Sequence, residues 1–301
     1  MELALKALAC GDRVIVTSRS LGRLDHLKAK GAAPVRLDHN QSFEHVKSAV
    51  KEALGIYKGV DIIVNNAAYV QTGMLEEATY VYGIIFYATL LLVRLRYLIL
   101  TVETHYLRPE ETLLQFQSNV FGPLNVYRAI LPHFREKRSG VLATVGSMAA
   151  WYPMAGCNLY DASKAAMRMI GIGLQGEVAA FGIKHCLIEP GFFRTELLNP
   201  TANLAKTTTD KRLPDYGELN AANDKNFAEF HGQQLGNPVK GGEVVYDVLT
   251  SSGVAAGRDV PPFLPLGSDA VGEISKHAQE TIDQVKEWEK ISSLTDFPAG
   301  Q

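Results

Sequence analysis

An alternation constrains this chain most. Short continuous apolar runs keep giving way to segments of helical period. Residues 13–18, 34–38, 60–65, 140–146 and 183–189 read as strands. Residues 43–54, 110–138 and 160–181, between or after them, read as helices. The later runs are apolar at consecutive positions, so both faces of the strands must be covered. That requires an α/β fold with a doubly wound, mostly parallel sheet. Beyond residue 238 the pattern continues with a helix at 241–251, an edge strand at 262–266 marked by Pro262 and Pro265, and a charged helix at 270–291. Residues 192–238 are polar and weakly periodic, and read as a loop with short helices that covers a substrate site. No internal repeat and no linker divides the sequence, so residues 1–301 are expected to form one domain.

Charge and cysteine usage narrow the function. A net charge of −2 over 301 residues supplies no basic field, so no nucleic-acid partner is expected. Cys10, Cys157 and Cys186 are few and odd in number. They suit a reducing, cytoplasmic setting and read as small buried hydrophobes. The histidines lack metal-ligand spacing. Glu2 and Lys6 sit in an Ala/Leu helix that is wrong for a secretory signal. The one membrane candidate is residues 80–100. Arg94 and Arg96 interrupt it and leave residues 80–93 uncharged, which is short of the ~20 residues a span needs.

The chemistry concentrates around Tyr160 and Lys164. Residues four apart on a helix share a face, which brings an ammonium near a phenol. A free phenol has a pKa of about 10, and a nearby cation favours the phenolate. Tyr160 would then donate a proton to a carbonyl, or take one from an alcohol. Ser147 lies thirteen positions earlier, at the carboxyl end of an expected buried strand, where sheets of this kind bind ligands.

Ser147, Tyr160 and Lys164 at this spacing resemble the catalytic set of the short-chain dehydrogenase/reductase family. Asn65-Asn66-Ala67 after a strand, Asn119 within Ser118-Asn119-Val120, and Pro190-Gly191 with Thr195 resemble further motifs of that family, in the same order. The resemblance implies a Rossmann-type sheet and a nicotinamide cofactor. It implies that Ser147 hydrogen-bonds the substrate oxygen, that Asn119 holds a water relay to Lys164, and that Lys164 also binds the nicotinamide ribose. Asp38 would contact the adenine, Asn66 the adenosine side, and Phe193 and Thr195 the carboxamide region. Arg128 would support the cofactor pocket, or be a surface arginine. Thr17-Ser18-Arg19 ends the strand that selects the cofactor. It carries no acid for a ribose 2′-hydroxyl and one arginine for a 2′-phosphate, so NADP(H) is expected over NAD(H). Met148, Trp151, Tyr152, Met154 and Phe192 would line a pocket for a fairly apolar carbonyl or secondary alcohol.

Two departures from the family pattern stand out. The family opens on a strand and a glycine-rich turn that hold the pyrophosphate. The first residues here already read as the helix after that turn. The missing strand belongs between those at 13–18 and 60–65. The second departure is an apolar insert at residues 80–108, read as translated intron, with a membrane-anchoring hairpin or dimer contact as the rival. The expected activity is hydride transfer between NADP(H) and a carbonyl or secondary alcohol. The alternative is a non-catalytic remnant that binds a partner. The resemblance also implies a homodimer or homotetramer packed through the helices at 110–138 and 160–181.

Overall fold

The computed structural model describes residues 1–78, 110–199 and 204–297. The insert at 80–108, with the membrane candidate inside it, lies outside the described residues. The chain opens with α1 (Glu2–Ala9), β1 (Ile15–Ser18), α2 (Asp25–Lys28), β2 (Ala33–Arg36), α3 (Phe43–Ile56), β3 (Ile62–Asn65) and β4 (Val70–Thr72). After the insert come α4 (Glu110–Phe116), α5 (Gly122–Lys137), β5 (Gly140–Val145), α6 (Asn158–Val178) and β6 (Ile183–Pro190). The last third holds β7 (Leu204–Lys206), α7 (Gly217–Phe230), α8 (Pro238–Thr250), β8 (Phe263–Leu266) and α9 (Ser268–Ser292).

β3, β5, β6 and β8 form a four-stranded sheet in the order β3-β5-β6-β8, and every pairing is parallel. β1 and β2 pair in parallel as a second sheet. No ladder joins β1 to β3 among the described residues. Strand alternation explains how both faces become dry. Leu142 points into a cluster with Val46, Val126, Ile130, Phe134, Met167 and Leu174, so α3, α5 and α6 cover one face. Its neighbour Ala143 points the other way, into a cluster with Cys186, Ile188, Val245 and Leu249. α8 covers that face, and α1 crosses α8 at Gly242. There a methyl group would meet the Leu3 backbone nitrogen at 2.9 Å, so only glycine permits the approach.

The helix expected over 110–138 forms over Glu110–Lys137 and carries a π-helical turn at Gln117–Phe121, where five-residue spacing replaces four. Two expectations are corrected. The stretch 192–238 contains a 14-residue helix, α7, and the strand β7, which pairs with β4. Leu219, Phe227 and Phe230 are too few among polar residues to give α7 a clear apolar period. Cys10 is exposed at the end of α1, whereas Cys157 and Cys186 are buried as expected.

Candidate active site

The carboxyl ends of the parallel strands gather the candidate residues. Ser147 follows β5 and caps the short 3-10 turn Met148–Ala150, its Oγ accepting from the Ala149 N–H at 3.1 Å. Tyr160 and Lys164 lie on α6, and both are buried, at 6% and 4% exposure. The Ser147 side chain faces the Tyr160 phenol closely enough to pull its pKa down, so the strand end and the helix face meet as the spacing predicts. Lys164 Nζ stands 5.7 Å from the centroid of the Tyr160 ring and donates to the Val145 carbonyl at 3.0 Å.

The electrostatics differ from the sequence expectation. Burial pushes the Tyr160 phenol up to about 12. The Ser147 side chain opposes this, while Asp161 and Cys157 add to it. Burial also depresses Lys164 to about 8, with Glu189 pulling the other way. The ammonium faces the ring and does not draw the phenol toward neutrality. The phenol therefore keeps its proton, the form needed to protonate a carbonyl oxygen.

Asn119 sits at the centre of the π-helical turn, which opens the helix and turns this side chain toward α6. Its Nδ2 donates to the Tyr69 carbonyl and to Ser163 Oγ, both at 3.1 Å, and its Oδ1 accepts from the Tyr69 N–H. Ser163 Oγ in turn donates to the Tyr160 carbonyl at 2.7 Å. Asn119 thus braces the strand-end segment against the helix that carries Tyr160.

The cofactor candidates are dispersed. Arg19 is exposed just past β1, and Asp38 follows β2, where its Oδ1 accepts from the Asn40 N–H at 3.0 Å. Asn66 is exposed past β3, whereas its neighbour Asn65 is buried and donates to the Pro123 carbonyl at 3.2 Å. Phe193 bridges to Gly236 and lays its ring against Gly236 and Gly241, and the Thr195 hydroxyl caps the short turn Glu196–Leu198. Arg128 is exposed on α5 and donates to Asn125 at 3.0 Å, so the structure does not join it to the buried group around Tyr160. Arg19, Asp38, Asn66 and Ser147 all follow the carboxyl ends of parallel strands, the first two in the β1-β2 pair and the others in the four-stranded sheet.

An open depression of about 640 Å³ is lined by Met154, Ala155, Phe192, Asn223, Asn226, Phe227, Glu229 and Phe230. Met154 and Phe227 also pack against the apolar cluster that contains Tyr160, so the depression borders that cluster. Of the expected lining, Met154 and Phe192 face this depression. Met148, Trp151 and Tyr152 pack instead with Ala270 and Ile274 of α9. The contribution of α7 was not foreseen. Sequence reasoning also missed Glu189, fully buried beside Trp151 and Arg168. An acid inside the apolar run of β6 was the available signal.

Comparison with known proteins agrees with this fold. The short chain dehydrogenase family profile matches residues 99–204. A short-chain dehydrogenase from Streptomyces avermitilis superposes with a TM-score of 0.76 at 30% identity, covering 98% of this chain and 94% of that one. "Oxidoreductase BOA17" of Botryotinia fuckeliana is 27% identical over 304 residues, which is 97% of this chain and 93% of its own length. A Burkholderia phymatum short chain dehydrogenase/reductase in complex with NAD shares the fold alone, with a TM-score of 0.67 at 17% identity, covering 100% of this chain and 93% of that one.

Proposed function

Because this chain belongs to the short-chain dehydrogenase/reductase family of oxidoreductases, we propose that it transfers hydride between NADP(H) and an apolar carbonyl compound or secondary alcohol. The observation that carries this reading is the burial of Ser147, Tyr160 and Lys164 at the end of β5 and on the facing side of α6, with the Lys164 ammonium 5.7 Å from the centre of the Tyr160 ring. Bound nicotinamide supplies or accepts the hydride. Ser147 holds the substrate oxygen by a hydrogen bond. Tyr160 gives its phenolic proton to that oxygen during reduction and recovers it during alcohol oxidation. The Lys164 ammonium stabilises negative charge that develops on the phenol oxygen as the proton leaves. Asn119 holds the backbone around Tyr69 and α6 in register for this step.

Arg19 supports the choice of NADP(H), since an exposed guanidinium past β1 suits a 2′-phosphate and the strand end Thr17-Ser18-Arg19 carries no acid. The depression supports a substrate with an aromatic or branched apolar body. Asn223, Asn226 and Glu229 offer hydrogen bonds at its edge. Loss of NADPH absorbance with a panel of aryl and alkyl ketones tests the proposal. Turnover that Tyr160→Phe lowers by about 10²–10⁴ is expected. A folded chain that turns over no carbonyl with either nicotinamide cofactor would refute it.

A further inference from the structure

Glu189 has no part in the reaction described above, yet its placement is costly. It is fully buried at the end of β6, where an apolar residue would complete the strand without desolvating a carboxylate. Its Oε2 accepts from Trp151 Nε1 at 2.5 Å. Its Oε1 lies 3.7 Å from Arg168 Nε and has no hydrogen-bond partner. The Arg168 guanidinium also stacks on Trp151, 4.1 Å from the ring centroid, so acid, indole and guanidinium form one packed unit.

Each arm of that unit leads to the reacting groups. Trp151 ends the 3-10 turn whose N-cap is Ser147, so holding the indole holds the turn. Arg168 lies four residues beyond Lys164 on α6, on the same face. Gly146, immediately before Ser147, leaves room for the acid: a methyl group there would stand 3.0 Å from Glu189 Cγ and 3.3 Å from Oε1. Burial raises Glu189 above the usual carboxylate range, and the Trp151 N–H together with the charges of Arg168 and Lys164, both from α6, oppose that rise and favour the carboxylate. The groups facing Lys164 are Glu189 and the Tyr160 ring, with the Val145 carbonyl as its hydrogen-bond acceptor.

We propose that Glu189 is a positioning residue for the reaction: it locks the Ser147 turn to β6 through Trp151, and it is the acidic partner of the cationic face that Arg168 and Lys164 form on α6. This rests on the reading of Ser147, Tyr160 and Lys164 as the reacting groups. Burial lowers Lys164, and the charge of Glu189 opposes that fall.

The test uses the full chain with NADPH and a ketone that it reduces, following kcat between about pH 6 and about pH 10. Glu189→Gln keeps the size of the side chain and an acceptor for Trp151 but removes the charge. It is expected to fold normally and to lose its alkaline limb about one pH unit earlier than the wild type. Trp151→Phe removes the indole donor and keeps the charge. It is expected to lower kcat by about tenfold with the alkaline limb unmoved. A Glu189→Gln profile that superposes on wild type overturns the charge role, and wild-type kcat in Trp151→Phe overturns the turn-locking role. Should Glu189→Gln fail to fold, Glu189→Asp replaces it: a limb left in place with lowered kcat supports the proposal, and a limb moved as far as one pH unit overturns it. Tyr160→Phe separates the two levels. If it retains turnover, the underlying site reading fails. If it is inactive while Glu189→Gln and Trp151→Phe match wild type, only the role of Glu189 fails.

Discussion

Lys164→Met is expected to make the protein more stable and less active. The ammonium is 4% exposed, and burial lowers its pKa from 10.5 to about 8. At about 1.4 kcal/mol per unit, that depression costs the folded state about 3 kcal/mol at neutral pH. Methionine fills a similar volume without a charge, but it leaves the Val145 carbonyl without its ammonium donor, a loss of about 1 kcal/mol. The net expectation is a gain of about 2 kcal/mol at pH 7. The sign follows from proton binding. Between about pH 8 and 10.5 the unfolded lysine holds its proton while the folded one has released it, so wild-type stability recovers as pH rises through that window. The advantage of Lys164→Met should therefore be full at pH 7 and give way to a deficit of about 1 kcal/mol above about pH 10.5, read as the difference in urea midpoints at matched pH. Turnover should fall by about 10²–10⁴. A variant less stable than wild type at pH 7, or equally stabilised at pH 7 and 10.5, would refute the argument from desolvation.

Three further outcomes are expected. Phe134→Ala should cost about 3–5 kcal/mol in urea unfolding, because the ring is fully buried between α5 and the main sheet and the site cannot collapse around Gly140. Asp161, raised from 3.8 to about 7 by burial, should make wild-type stability fall as pH rises from about 4 to about 7. Asp161→Asn should remove that slope, and an unchanged slope would assign it to other groups. Arg19→Asp should raise the KM for NADPH at least about tenfold and lower that for NADH, since the guanidinium is replaced by an acceptor for a ribose hydroxyl. Unaltered KM values would remove Arg19 from cofactor selection.

The sequence disclosed the parallel sheet because β3, β5 and β6 are apolar at consecutive positions, a pattern that two covered faces demand. It disclosed Ser147, Tyr160 and Lys164 because one lies at a strand end and the other two on one helix face. The π-helical turn around Asn119 was hidden, since the side chains on either side keep an ordinary helical pattern and one extra residue per turn leaves little periodic trace. α7 was hidden because its apolar residues are sparse, so tertiary contacts with Met154 and Phe192 decide its structure more than amphipathicity does. The direction of the Tyr160 and Lys164 shifts was also beyond reach. Spacing shows that a cation stands near a phenol, but burial sets the sign, and burial depends on the fold.

The most direct test of hydride transfer uses NADPH deuterated at nicotinamide C4 with a ketone from the active panel, in ordinary water. Deuterium on the carbinol carbon of the product, lost together with turnover in Tyr160→Phe, is the predicted result. Product alcohol without deuterium when each C4 epimer of the deuterated NADPH is used in turn, or no product from a folded chain, would contradict the account.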